Sequence, residues 1–213
     1  MAILGITNRT ENWQTAKYFS PLVGSASVRL VRRLASGERD VHEGDVRVEL
    51  FWHPIRDWRH QEKLTSKVAQ SRVVAAYEGL FSDLGAKVKA FPGLQTPDGS
   101  YTTSDTGKLA SNIANTEVDI VLESPGHLFI GEAKHEMRFH ASGSLVLTHQ
   151  LIREYVTARV LLDLLGSEKT VVPFVVGSTT AELKRQKQVQ FMLDQGWMDP
   201  KNVLEWSDIE ALR

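Results

Sequence analysis

The chain has 213 residues, of which 42% are hydrophobic and 24% charged, and its formal net charge at pH 7 is −1. This length suits one medium domain with a substantial core, and the balance of charges gives no general indication of nucleic-acid binding. Cysteine is absent, which excludes disulfides and thiolate metal sites, and neither a membrane-length apolar run nor a signal-peptide pattern is found. We therefore expect a cytoplasmic protein that does not associate with membranes.

The first 60 residues predict an N-terminal extension. Residues 12–22 and 27–35 have the pattern of short helices, and residues 45–52 alternate apolar and charged side chains as a strand does. The segment FWHPIRDWRH, residues 51–60, interleaves tryptophans with arginines and histidines. Such side chains can stack on bases and pair with phosphates, but tryptophans that pack on the core are the alternative we favour.

Residues 61–213 predict an α/β core. A helical pattern runs from about 62 to 84, residues 86–91 favour a strand, and the polar, glycine-containing stretch 92–116 predicts a long loop. A hairpin follows, and the later predicted elements are a helix at about 146–165, a continuous apolar strand at 170–178, a helix from Thr179 to about 195, a short strand in NVLEW and a last helical turn capped by Ser207. This order predicts a mixed β-sheet flanked by helices.

The predicted hairpin, VDIVLESPGHLFIGEAKHE at residues 118–136, carries charged side chains within apolar strands. Glu132 and Lys134 share a face because they are two residues apart. A turn centred on the Pro-Gly dipeptide pairs Asp119 with Glu132 and Glu117 with Lys134 across the two strands. The sequence therefore predicts two carboxylates that face each other beside an ammonium group.

Opposed carboxylates in such a pair lie roughly 5 Å apart at Cβ and repel each other. A hard divalent cation removes the repulsion, because Mg²⁺ takes oxygen ligands and is held by one or two carboxylates together with substrate phosphates. The ammonium group of Lys134 can position a water molecule or stabilise charge that grows on a phosphate. The alternative is a solvated hairpin face on which Lys134 pairs with Asp119, Glu117 or Glu132.

Asp119, followed by Glu132-x-Lys134 on the adjacent strand, resembles the PD-(D/E)xK nuclease superfamily, with Val118 where that pattern often has proline. The core of that family is αβββαβ, an order that the predicted elements of residues 62–178 follow. VLEWSDIEAL near the end of the chain is similar to an element of many members. The resemblance implies a restriction-endonuclease-like fold in which the αβββαβ core follows the extension of residues 1–60.

The resemblance also implies an enzyme that hydrolyses phosphodiester bonds, with DNA as the first expectation and a 5′-phosphate as product. Mg²⁺ or Mn²⁺ would be held by Asp119, Glu132 and the Ala133 carbonyl, and Lys134 would orient or help to deprotonate the attacking water. Family members often add a glutamate from the first core helix to the metal site. Glu78 is the candidate for that ligand, and an exposed acid at the helix edge is the alternative.

Gln150 and Tyr155 resemble the Gln-x-x-x-Tyr signature of RecB-like exonucleases, although they are five residues apart in place of four. Gln150 is therefore a candidate for orienting the substrate, and a helix-capping or flanking glutamine is the alternative. The resemblance implies nucleic acid as the partner, and a homodimer or larger complex is compatible with it because many members act as dimers. The rival reading is a nuclease-like fold without catalysis that serves as a nucleic-acid-binding or assembly module.

Overall fold

The computed structural model describes residues 10–82, 106–134 and 149–213. Within these residues the chain forms a five-stranded mixed β-sheet with helices on both faces, which confirms the predicted α/β class. The strands, in their order across the sheet, are β1 (Arg47–Trp52), β2 (Val118–Glu123), β3 (His127–Ala133), β4 (Thr170–Gly177) and β5 (Val203–Glu205). Strands β1, β2 and β3 are antiparallel neighbours, whereas β4 is parallel to both β3 and β5.

The hairpin of β2 and β3 has the register that its sequence predicts. Ile120 lies opposite Gly131 and Leu122 opposite Phe129, and the backbone N–H of Ser124 donates to the His127 carbonyl at 3.0 Å to close the turn. Continuation of this register by one residue places Asp119 opposite Glu132. The two carboxylates therefore belong to the same face of the sheet.

The helices form one layer on each face of the sheet. The face that carries Val121, Ile130 and Val175, which we call the site face, packs against the first helical layer. The helices whose apolar residues belong to this layer are α3 (Pro54–Gln61), α4 (Ser66–Phe81), α5 (Thr106–Ala114), α6 (Gln150–Leu164), α7 (Thr180–Arg185) and α8 (Lys187–Asp194). None of the described helices is long and apolar enough to cross a lipid bilayer.

The opposite face packs against α1 (Thr10–Phe19), α2 (Ser25–Leu34) and α9 (Trp206–Glu210). Short 3-10 turns at Glu43–Asp45 and Pro200–Asn202 precede β1 and β5. The segment predicted as an N-terminal extension thus contributes an edge strand, β1, and most of one helical layer to the same sheet. Its α2 buries Leu30 and Leu34 in the cluster that contains the sheet residues Ile120 and Phe129.

The stretch predicted as a long loop, 92–116, contains a helix at its C-terminal end, so the prediction was wrong for residues 106–114. Leu109 and Ile113 of this helix are one turn apart and fully buried in the site-face cluster. Its serine, threonine and asparagine residues obscure that apolar stripe in the sequence. The predicted strand at 86–91 lies outside the described residues, and the strand that pairs with β2 on the side away from β3 is β1.

Three predicted helix boundaries were also wrong. The first core helix begins at Ser66, where Thr65 is its N-cap, and not at residue 62. The helix predicted from Thr179 to about 195 is interrupted at Gln186, whose extended backbone separates α7 from α8. Ser207 lies inside α9, and Glu205 is the N-cap of that helix in a capping box. The Glu205 side chain accepts from the Asp208 N–H, and the Glu205 N–H donates to the Asp208 carboxylate at 2.8 Å.

Candidate active site

The charged side chains of the hairpin lie at the end of β2 and β3 that is away from the turn. Strand β3 is held between β2 and β4, and the Lys134 N–H continues the pairing by donating to the Val176 carbonyl at 2.8 Å. Gly131 leaves room for the ring of Phe174 on β4, because a Cβ atom at this position would lie 2.2 Å from that ring. The backbone that carries the site is therefore fixed from both sides.

The charged groups of this site are buried, with exposed fractions of 0% for Glu132, 2% for Lys134 and 9% for Asp119. Lys134 Nζ forms an ion pair with Glu132 Oε1 and donates a hydrogen bond to Gln150 Oε1 at 3.2 Å. Asp119 Oδ2 accepts a hydrogen bond from the Ala133 N–H at 3.3 Å. The predicted facing of Asp119, Glu132 and Lys134 is thus present, but in a buried setting and not on a solvated hairpin face.

A third carboxyl group, that of Glu154 on α6, joins the site and was missed by the sequence reasoning. Its side chain is 1% exposed. Burial raises the pKa of Glu154 well above its ordinary value. The negative charge of Glu132, to which Glu154 is hydrogen-bonded, and then the charge of Asp119 raise the pKa further, whereas Lys134 lowers it. The protonated form of Glu154 is therefore favoured over that of an ordinary glutamate when no cation is bound.

The sequence does contain a signal for Glu154. It lies one turn after Gln150 in LIREYVTARVLL, a segment whose apolar residues surround the helix on most sides. A helix of this pattern is buried almost all round, so an acidic residue in its middle must be buried as well. A buried acid of this kind requires a partner, and here the partner is the hairpin.

Two carboxyl groups of the site have few donors around them. Among the described residues, Glu132 Oε2 and Glu154 Oε1 are buried and receive no hydrogen bond from an amide or ammonium group, and the two carboxyl groups are hydrogen-bonded to each other. Buried oxygen donors of this type fit a hard cation such as Mg²⁺ or Mn²⁺. However, in the ranges that the structure describes, no three His, Asp or Glu side chains have the spacing of a preformed metal cage.

Gln150 is the first residue of α6, and its contact with Lys134 brings this predicted site residue into the site. The preceding residue, His149, is 5% exposed and lies 3.5 Å from Gln188 Nε2, measured from its Nδ1 atom. Gln188 in turn accepts a hydrogen bond from the Leu151 N–H at 3.0 Å. Gln188 therefore satisfies a free amide at the start of α6 and fixes the end of the helix that presents Gln150.

Two further residues singled out in the sequence, Glu78 and Tyr155, have the following surroundings. Glu78 is exposed on α4, and the charges that shift the pKa of Glu154 are those of Glu132, Asp119 and Lys134. Tyr155 stacks on Trp197 with a centroid separation of 4.7 Å, and its hydroxyl accepts from Arg159 at 3.3 Å. Of the two residues that resemble the Gln-x-x-x-Tyr signature, Gln150 therefore contacts Lys134 of the site, whereas Tyr155 contacts Trp197 and Arg159.

Comparison of the chain with protein-family models, with curated protein sequences and with solved structures found no match.

Proposed function

We propose that the chain is a metal-dependent nuclease of the PD-(D/E)xK type with a restriction-endonuclease-like core. It would hydrolyse phosphodiester bonds, and DNA is the substrate that we expect first. One observation carries the proposal: a buried lysine and three buried carboxyl groups converge at one end of two adjacent strands. Replacing such buried charges by apolar residues is often neutral or stabilising for a fold, so stability alone gives little reason to have them. Clusters of this kind are typical of functional sites.

Asp119, Glu132 and the Ala133 carbonyl are the groups that would hold Mg²⁺ or Mn²⁺, and Glu78 stays a predicted ligand. The ion would neutralise charge on the phosphate and lower the pKa of a water molecule. The donor set consists of oxygen atoms, as these hard cations prefer. Glu154 is the additional acid of the site, and its position against Glu132 lets it take or release a proton as the charge of the site changes.

Lys134 would orient the attacking water and stabilise the negative charge that develops on the phosphate. Its Nζ atom is positioned for this role by Gln150, with which it shares a hydrogen bond of 3.2 Å, and by Glu132. A group fixed in this way needs little reorganisation when charge develops. Gln150 thus acts on the reaction through the position of Lys134.

The arrangement of the strands supports the family in part and departs from it in part. A β2–β3 hairpin followed by α6 and a parallel β4 is the order that the resemblance implies. The neighbour of β2 on its other side, however, is β1, which precedes α3, α4 and α5 in the chain. A strand in the family position, at 86–91, stays a prediction.

Cleavage assays on plasmid, single-stranded, branched and RNA substrates with Mg²⁺ or Mn²⁺ test the proposal. We expect Lys134→Ala to reduce metal-dependent cleavage about a hundredfold or more, because the variant loses the positioned cation of the site. Lys169→Ala is the matched control, since Lys169 binds Glu123 at the other end of the hairpin at 2.9 Å. Circular dichroism establishes whether both variants are folded. If Lys134→Ala is unfolded, Lys134→Gln takes its place, because a glutamine side chain keeps a donor for Gln150. Equal cleavage by wild type and a folded Lys134 variant would contradict the site.

One observation favours the rival, a nuclease-like module without catalysis. Lys134 is paired with Glu132, and the raised pKa of Glu154 favours its neutral form, so that the described site is partly neutralised by its own groups. The rival predicts that no substrate is cleaved with either metal and that nucleic-acid binding survives Asp119→Asn. Cleavage that this substitution abolishes excludes the rival.

A further inference from the structure

The arginines and the tryptophans of the segment FWHPIRDWRH belong to different environments. Trp58 is 5% exposed and lies in the site-face cluster with Ile55, and Trp52 packs against the same cluster. These tryptophans therefore pack on the core, as the favoured alternative predicted. Arg56 and Arg59 of the same helix, α3, instead line a pocket between α3, α4 and α5.

This pocket, which we call the α3–α5 pocket, has the chemistry of an anion site. Its volume is about 200 Å³, which is below the range of about 300–1,000 Å³ typical of pockets that enclose a whole small molecule. None of the described residues that line it is acidic. The polar side chains that do so are Arg56, Arg59, Ser66, Gln70, Ser111 and Asn115. Each of them can donate a hydrogen bond to a phosphate oxygen.

Arg59 carries the charge of the pocket. Its Nη1 atom donates to Ser66 Oγ at 3.0 Å, and its Nη2 atom lies 3.3 Å from the His60 ring. Within the described ranges it has no carboxylate partner, whereas Arg56 is paired with Asp57 at 3.3 Å. A guanidinium has five N–H donors in a planar fork, so Arg59 retains donors for a phosphate.

The α3–α5 pocket lies at the same end of the sheet as the site. Trp52, immediately before α3, is paired with Val118, the neighbour of Asp119. Asn115 at the pocket precedes Asp119 by four residues, so their Cα atoms are at most roughly 15 Å apart. Each strand of a duplex advances about 3.4 Å per nucleotide, so a strand that runs from the site towards the pocket covers this distance in about four nucleotides.

We propose that the α3–α5 pocket binds a backbone phosphate of the nucleic acid, with Arg59 as the main contact. The inference rests on the proposed function, because nucleic acid is the ligand. It adds a positioning contact away from the reacting phosphodiester. Such contacts fix the register of the substrate without reading its sequence.

Equilibrium binding without hydrolysis tests the inference. Fluorescence anisotropy measures the affinity of the full chain for labelled duplex and single-stranded oligonucleotides of equal length, in EDTA, at a series of salt concentrations from about 50 to 200 mM. We expect Arg59→Ala to weaken binding about tenfold and to lower the slope of log affinity against log salt by about one contact. Arg39→Ala is the matched control, because Arg39 is exposed in the loop after α2. It removes the same charge, and we expect less than a twofold change.

Equal effects of Arg59→Ala and Arg39→Ala, or no binding by the wild-type chain, would overturn the inference. A second result would also overturn it. If inorganic phosphate stabilises the wild type but not Arg59→Ala, and both chains bind the oligonucleotides equally well, the pocket binds free anion only. Arg59→Gln replaces the alanine variant if circular dichroism shows the latter to be unfolded. If the chain cleaves no substrate but its oligonucleotide binding depends on Arg59, this inference is supported and the proposed nuclease activity is overturned. Failure of the inference can therefore be distinguished from failure of the proposed function.

Discussion

At the scale of single residues, the site is defined by what surrounds each charge. Lys134 has an ion-pair partner in Glu132 and an acceptor in Gln150, and Asp119 has the Ala133 N–H. Glu154 has neither a cationic partner of its own nor exposure to water, and its pKa is raised by burial and by Glu132. Added positive charge near the carboxyl of Glu154 would therefore lower its raised pKa.

The raised pKa of Glu154 makes the metal-free chain less stable as pH rises. Between the ordinary value of about 4.3 and the raised pKa, the unfolded chain has released this proton and the folded chain has not, so the free energy of unfolding falls by about 1.4 kcal/mol per pH unit. We expect Glu154→Gln to remove this loss. The free energy of unfolding of the variant, relative to that of the wild type, should therefore increase as pH rises from 5 towards 7. Urea unfolding in EDTA measures the difference.

Asp163→Asn is the control for this prediction, because Asp163 is an exposed acid on the same helix, α6. Its stability relative to the wild type should stay constant over the same pH range. A wild-type chain and a Glu154→Gln variant with parallel pH profiles would contradict the raised pKa.

The sequence predicted the residues that face each other in the site but not the depth at which they lie. Asp119, Glu132 and Lys134 follow from strand periodicity and from the turn, which are local properties. Burial of Lys134 and the approach of Glu154 depend on how α6 packs across the sheet, and that packing joins residues about 20 positions apart in the chain. For this reason a partner on another element was not found by reading the hairpin alone.

At the scale of elements, the close contact between β3 and β4 holds the site strand in place. Gly131 immediately precedes Glu132, and the ring of Phe174 occupies the space where a Cβ atom would lie. We expect Gly131→Ala to lower the free energy of unfolding by about 3 kcal/mol, because the ring has to move within a packed core. Chemical denaturation measures the loss.

A glycine in open space provides the control. Gly79 lies in α4, and in the described part of the chain no atom outside its own helix backbone would lie within 4 Å of a Cβ atom at this position. Gly79→Ala should therefore stabilise the chain by up to about 1 kcal/mol through helix propensity. Phe174→Leu in the Gly131→Ala background should restore part of the lost stability, since it removes the clash. Similar small effects of the two alanine substitutions would contradict the steric account.

The predicted elements were most reliable where one local rule determines them. The hairpin register follows from the Pro-Gly turn, and β4 follows from its continuous apolar run. The helix at 106–114 and the break at Gln186 were missed, because both depend on contacts with the rest of the molecule. Thus Leu109 and Ile113 of the polar α5 find their partners on α4 and α6.

At the scale of the whole molecule, both faces of the sheet depend on helices from distant parts of the chain. Leu30 of α2 is fully buried in the cluster that contains Phe129 and Phe174, which belong to β3 and β4. The N-terminal segment is therefore expected to unfold together with the sheet. A single cooperative transition seen by both far-UV circular dichroism and tryptophan fluorescence would show it.

Truncation of Leu30 tests this coupling. We expect Leu30→Ala to lower the free energy of unfolding of the whole chain by about 3 kcal/mol, because it opens a cavity against the sheet. Val23→Ala, at a side chain that is 68% exposed, should change it by less than about 0.5 kcal/mol. The contrary result is unfolding of Leu30→Ala in two steps, with an early partial transition and a main transition that is unchanged. It would show that the N-terminal layer unfolds separately.

The central claim is that the buried carboxyl groups at the end of β2 and β3 bind a divalent cation. Thermal unfolding with and without Mn²⁺ tests it most directly, since a ligand that binds only the folded chain raises the melting temperature with its concentration. We predict a concentration-dependent rise for the wild type, its loss in Asp119→Asn, and its retention in Asp163→Asn, which removes an exposed acid of α6. No rise for the wild type, or a rise that Asp119→Asn leaves unchanged, would contradict the account.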